Sequence, residues 1–245
     1  MGSGASWGPV AAALAGAVDL RGFDMPGHGR SGPWVSGMGA PGMGAPGADD
    51  PDYHTAVTRI AAAMIERPLD LIGHSFGATI ALRIAVAAPD AVRSLTLIEP
   101  VLFAAAPSAV QDALNDRLSE LLAGGQEAEA TRAFLSVWGV NGGEKLSPAA
   151  LALMRRQIGL VAQTSGALRD DHANILREGG LEAVDAPVLL VAGANSPPVI
   201  HAIADALAAR LPDVGRATVP GAGHMLPLTH PQPVAGLIGV NLERS

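Results

Sequence analysis

Apolar runs of strand length stand at residues 18–23, 69–72, 92–98, 188–192 and 216–219. Between them lie helical patterns at 53–65, 76–88, 197–211 and 232–242, in which apolar residues recur at helical spacing. The run at 188–192 is apolar at every position, with no alternation of apolar and polar. Strands that are apolar on both faces and separated by helices belong to a parallel sheet covered on both sides. The pattern therefore predicts the α/β class, with a mostly parallel sheet between two helical layers. From about 108 to 178 the alternation stops, and helical patterns at 111–122, 127–137 and 148–161 follow one another across Gly124-Gly125 and Asn141-Gly142-Gly143. This predicts a helical cap inserted between two sheet strands: core residues 1–106, cap 107–180, and core again 181–245.

Composition narrows the function classes. The chain has 245 residues, 49% hydrophobic and 16% charged, which suits one folded domain rather than a disordered chain. A net charge of −7 and only eight aromatic residues (Trp 3, Tyr 1, Phe 4) speak against nucleic acid, because neither a phosphate-attracting field nor a stacking surface is available. A small molecule is the expected partner. The absence of cysteine removes disulfides, thiolate nucleophiles and Cys-ligated metals together, and fits a reducing compartment. No apolar run reaches the ~20 residues of a membrane span, and no cationic segment leads into an apolar one at the start. A cytoplasmic protein without a cofactor is expected, since no H-E-x-x-H, phosphate loop or dinucleotide fingerprint is present. Residues 36–48, which repeat Met-Gly-Ala-Pro-Gly, read as a surface loop.

The strongest chemical signal is Gly73-His74-Ser75-Phe76-Gly77, which lies between an apolar strand and an apolar helix. In so sharp a strand-to-helix turn the serine takes a strained backbone conformation, its hydroxyl stands at the C-terminal edge of the sheet, and the flanking glycines admit neighbouring chain. Gly4-Ala5-Ser6-Trp7-Gly8 matches the same pattern, but no strand precedes it. Ser75 is the candidate nucleophile and Ser6 a decoy.

A serine hydroxyl needs a base near neutral pH. Among seven histidines, His224 follows the strand at 216–219 in a Gly-rich turn and can reach the same edge. His54 and His201 fall on helices, His172 in the insertion, His28 in a Gly-rich turn and His230 before a proline; His74 should point away from the hydroxyl. The third member should be a carboxylate. Glu99 ends the strand at 92–98, where a charge is costly unless something meets it. An ordinary exposed glutamate paired with an arginine is the alternative, and Asp170 or Asp171 are the next carboxylates to examine.

These motifs resemble the α/β-hydrolase superfamily, in its group of small capped hydrolases. Asp24-Met25-Pro26-Gly27-His28-Gly29-Arg30-Ser31 is similar to the turn after the family's fourth strand, Gly73 to Gly77 to its nucleophile elbow, and Gly223-His224 to its histidine loop. The resemblance implies a Ser75, Glu99, His224 order with the acid after the sixth strand, the minority position; after the seventh the chain carries Asn195 and Ser196. It implies an oxyanion hole from the Ser3 and Phe76 amides, with Met1 where the family has histidine. It also implies that the first three strands are missing, so that two strands lack a neighbour. The implied activity is ester hydrolysis by a serine hydrolase through an acyl-enzyme. The alternatives are a non-catalytic or inactive truncated relative, or a cofactor-free haloperoxidase-like or carbon–carbon bond hydrolase. Trp138, Phe134 and Met154 are candidate pocket liners.

Overall fold

A computed structural model describes residues 2–34, 51–143 and 146–245. Among them, four strands form one parallel sheet in chain order: β1 (Leu69–His74), β2 (Val92–Ile98), β3 (Val188–Gly193) and β4 (Val214–Val219). The registers run Leu71 with Leu95, Leu97 with Leu190, and Leu190 with Arg216. Period-2 alternation divides the apolar strand residues between two cores. Leu95, Leu97, Val188, Leu190 and Ala192 face α3 (Phe76–Ala87) and α7 (Pro198–Ala208), while Ile98, Leu189, Val191 and Val219 face α1 (Gly8–Ala13) and α9 (Pro231–Leu242). β3 is buried along its whole length, which is why it reads as an uninterrupted apolar run.

The helices follow from local signals. α2 (Tyr53–Ala63) starts where the Asp52 carboxylate accepts the Thr55 amide at 2.7 Å. Ile200, Ile203 and Leu207 on α7 are fully buried against the sheet, each contributing about 1.5–3 kcal/mol. Between β2 and β3 stand α4 (Ala109–Ala123), α5 (Glu127–Trp138) and α6 (Pro148–Arg169), with a small core of Leu118, Ala130 and Ile158. α6 continues eight residues past the expected end at 161. Gly159 and Gly166 each weaken it by about 1 kcal/mol relative to alanine, but burial of Thr164 and Leu168 outweighs the local propensity.

One strand expectation fails. Residues 18–23 join no ladder, and β1 pairs with β2 alone. Val18, Leu20 and Phe23 gave the segment strand propensity, but a strand exists only through a hydrogen-bonding neighbour, and among the described residues this segment has none. Val18 and Phe23 instead pack side-on against the two cores. The repeat at 36–48 and the Met1 position lie outside the described residues. Among the described residues no helix is long and apolar enough to cross a membrane.

Candidate active site

Ser75 sits between the last residue of β1 and the first of α3, with φ 56° and ψ −121°. A non-glycine residue at positive φ carries on the order of 1–3 kcal/mol of strain. Two backbone bonds hold it there: the Ser75 amide donates to the Ile98 carbonyl at 2.9 Å, and the Ala78 amide donates to the Ser75 carbonyl at 3.0 Å. A Cβ on Gly73 would lie 2.4 Å from the Gly77 carbonyl oxygen and 2.5 Å from Ala78 Cα, so only glycine fits. Gly77 corrects the expectation that both flanking glycines admit neighbouring chain, because a Cβ there would meet nothing within 4 Å.

Glu99 is the residue after β2 and also has positive φ, 53°. Its amide continues the ladder, donating to Val191 at 2.8 Å. The side chain is 0% exposed, yet both oxygens are engaged. Oε1 accepts from the Gly193 amide and from the Ser196 hydroxyl, each at 2.6 Å, and Oε2 faces His224 Nδ1 at 2.9 Å. A carboxylate accepts, so the His224 proton resides on Nδ1 and its Nε2 lone pair points to Ser75 Oγ, 3.0 Å away. The structure thus brings Ser75, His224 and Glu99 into one hydrogen-bonded line. Gly193 is required for this meeting, because a Cβ on it would come within 2.4 Å of the Ala222 carbonyl in the turn before His224.

Two neighbours frame His224. Trp138, at the end of α5, packs edge-on to the imidazole with centroids 4.7 Å apart and ring planes at 74°. Of the three residues proposed as liners, it is the one placed against His224; Phe134 packs between the main core and the small core of Leu118, Ala130 and Ile158, and Met154 is half-buried on α6. His74 does turn away from the hydroxyl, but toward His224: its Nε2–H donates to the His224 backbone carbonyl at 2.8 Å. Burial, and the adjacent His224, push its pKa down to about 3, so it acts as a neutral donor. Sequence reasoning missed this contact because 150 residues separate the partners. The adjacency of His74 to the nucleophile was the one available signal.

The other carboxylates and histidines singled out in the sequence lie away from Ser75. Asp170 pairs with Arg169, Asp171 accepts the Ile175 and Leu176 amides, and His172 lies in the open 3.8 Å from Asp170. His230 meets Thr229, and His28 is buried beside the Pro26 carbonyl, with its pKa lowered by that burial. Ser6 lies in a short 3-10 turn, Gly4–Trp7, and its Oγ accepts the Ser3 amide at 3.2 Å. The Gly4 amide donates to Asp24 Oδ1 at 2.7 Å, and the Arg30 amide to Oδ2 at 2.8 Å; these two bonds lower the Asp24 pKa. Asp24 therefore ties the N-terminal turn to residues 24–31.

A family model described as alpha/beta hydrolase fold matches residues 1–231, and the chain belongs to that family. No curated protein sequence matches it. Among solved structures it resembles an alpha/beta hydrolase enzyme from a Medee basin deep-sea metagenome library, at TM-score 0.77 and 16% identity over 100% of this chain and 86% of the other. It is also similar to a mutant haloalkane dehalogenase from Agrobacterium tumefaciens (TM-score 0.71, 18% identity, 99% of this chain and 86% of that one). A bromoperoxidase from Bacillus anthracis aligns at TM-score 0.69 and 18% identity, over 98% of this chain and 88% of that one. At such identities these likenesses establish the shared fold.

Proposed function

We propose that the chain is a serine hydrolase of the carboxylesterase kind, working through an acyl-enzyme. The observation that carries this reading is the continuous line from Ser75 Oγ through both ring nitrogens of His224 to Glu99. Ser75 Oγ attacks the carbonyl carbon of an ester and passes its proton to His224 Nε2. Glu99 stabilises the imidazolium that results and holds the ring's orientation. The oxyanion receives the Phe76 amide and the Ser3 amide, replacing the weakly accepting Ser6 hydroxyl on the latter with a full negative charge. Collapse breaks the bond to the leaving alkoxide, which takes the proton from His224 Nε2. Water then repeats the sequence: it gives a proton to His224, attacks the Ser75 ester, and releases the acid as Ser75 recovers its proton.

The identity of the nucleophile favours an acyl substrate over an alkyl halide. Displacement of halide by a serine oxygen would leave an alkyl ether, which has no carbonyl for water to attack, and turnover would stop there. An ester intermediate returns the enzyme.

Incubation with a fluorophosphonate probe tests the reading, with Ser75→Ala beside the parent and p-nitrophenyl butyrate as substrate. Labelling at Ser75 and hydrolysis that both vanish in Ser75→Ala are the expected result. Folded parent protein that neither labels at Ser75 nor hydrolyses the ester would favour the non-catalytic relative.

A further inference from the structure

The mechanism leaves one buried titratable network unused. His54, 3% exposed, stands in the first turn of α2. Arg83 Nη1 lies 3.1 Å from His54 Nδ1 and donates to Thr55 Oγ1 at 3.0 Å. A guanidinium can only donate, so His54 Nδ1 is the acceptor and the ring proton sits on Nε2. That Nε2–H donates to Thr79 Oγ1 at 3.0 Å, and Thr79 in turn donates to the Phe76 carbonyl at 2.7 Å. Every proton in the series Arg83, His54, Thr79, Phe76 then has one direction. Burial, reinforced by the Arg83 charge, pushes the His54 pKa down to about 4 and keeps the neutral ring that this direction needs. A threonine bonding back within its own helix is a common local habit. An imidazole that reaches it from a second helix is a tertiary feature.

The neighbouring residue makes a matching contact. Tyr53 O–H donates to the Pro26 carbonyl at 2.8 Å and lies 3.3 Å from His28 Nδ1. Pro26 follows Asp24 in the turn that holds the Gly4 amide. Consecutive residues of α2 therefore grip two separate segments: the turn that anchors Gly4, the residue next to Ser3, and the first turn of α3, which begins at Phe76.

We infer that Tyr53 and His54 together form a strut that sets the separation of the Ser3 and Phe76 amides, with Tyr53, His54 and Thr79 as positioning residues for the oxyanion; this rests on the serine hydrolase reading above. Amides stabilise an oxyanion only near 2.7–3.1 Å, so a small drift of either segment weakens the transition state more than the bound ester. The Ser3 segment belongs to no strand and depends on Asp24 for its place. A fixed strut supplies the second constraint.

Two measurements test this. In the first, Thr79→Val and Tyr53→Phe keep shape and remove the hydroxyls, and Thr79→Ser restores one. The expected result is a fall in kcat of about tenfold or more for each of the first two, KM within about threefold, and recovery of at least half of the lost rate in Thr79→Ser. Folded Thr79→Val and Tyr53→Phe with parental kcat would overturn the strut. The second needs no activity: nitrogen-15 imidazole spectra of the parent chain, with the His54 signals assigned by their loss in His54→Gln. A neutral Nε2–H tautomer at pH 7 is expected. An Nδ1–H tautomer or a protonated ring there would overturn the network even if Ser75 hydrolyses esters. Conversely, the expected tautomer in a chain without Ser75 labelling would remove the hydrolase reading while leaving the hydrogen-bond network standing.

Discussion

Glu99 shows how much one side chain owes to its surroundings. Buried without partners it would be strongly unfavourable; with three donors around its two oxygens it is fully satisfied. Glu99→Gln puts an amide NH2 where an acceptor is needed, by Gly193 and Ser196 or by His224. We expect kcat to drop by about 10³–10⁴-fold with the fold retained, as for the loss of charge at an equivalent position in other triads. Steady-state kinetics and circular dichroism of the purified variant check this; retention of near-parental kcat would remove Glu99 from the triad. Ser196→Ala leaves the Gly193 amide on Oε1 and removes one neutral donor. Its effect should be smaller, about three- to tenfold in kcat, which corresponds to the roughly 1 kcal/mol of an ordinary hydrogen bond. Ser196 also shows how the chain fills the strand end after β3. A hydroxyl there supports an acid that comes from the neighbouring strand.

At the scale of elements, the site is a set of strand ends. The Ser75 amide bonds to the carbonyl that ends β2, the Glu99 amide to a carbonyl of β3, and the Ala194 amide to the carbonyl that ends β4 at 3.0 Å. Ser75 and Glu99 thus each stand one step past a strand and inherit their positions from the ladder, whereas His224 lies five residues past β4, in the turn that follows it. The elbow depends on the absence of a side chain at Gly73. Gly73→Ala pushes a methyl into backbone that cannot move aside, and we expect a loss of about 2 kcal/mol or more in urea melts together with loss of activity. By contrast Gly77→Ala, in open space, should leave stability within about 1 kcal/mol of the parent. The histidine loop is tied to the elbow by His74. His74→Leu removes the donor to the His224 carbonyl, and kcat should fall about tenfold, whereas His74→Gln, which can still donate, should recover part of the loss. Equal rates in the two variants would show that the bond has no catalytic consequence.

At the scale of the whole molecule, histidines kept neutral by burial link stability to pH, and His54 and His74 carry the largest shifts. The His54 pKa is lowered to about 4 and that of His74 to about 3, both from an ordinary value of 6.5. Above pH 6.5 both are neutral, folded or unfolded, and their contribution is intact. As pH falls through 6.5 the unfolded chain takes up protons that the folded chain refuses, so stability declines until the folded values are reached. The slope is at most about 1.4 kcal/mol per pH unit for each histidine, and less for His74, a residue of intermediate exposure. Arg83 works with burial to lower the His54 value and Asp52 opposes it; for His74 the opposing contribution is its own bond to the His224 carbonyl. Urea melts between pH 7.5 and 5 should show this decline, and His54→Gln should flatten it. A parent chain equally stable at both ends of that range would contradict the assignment.

Periodicity and composition made the α/β class, the parallel sheet and the inserted helices legible, because burial on both faces of a strand or on one face of a helix leaves its spacing in the chain. The elbow at Ser75 and the strand end at Glu99 were legible for the same reason: each is a polar residue that interrupts an apolar run at a predictable place. Pairing was not legible. Residues 18–23 carry Val18, Leu20 and Phe23 yet join no strand among the described residues, since strand formation is settled by a neighbour rather than by propensity. Neither were the contacts of His74 with His224, of His54 with Thr79, or of Ser196 with Glu99, which join residues 150, 25 and 97 positions apart. A linear pattern records which side chains avoid water, whereas hydrogen bonds between distant residues depend on distance and direction, and these exist only once the strands are aligned.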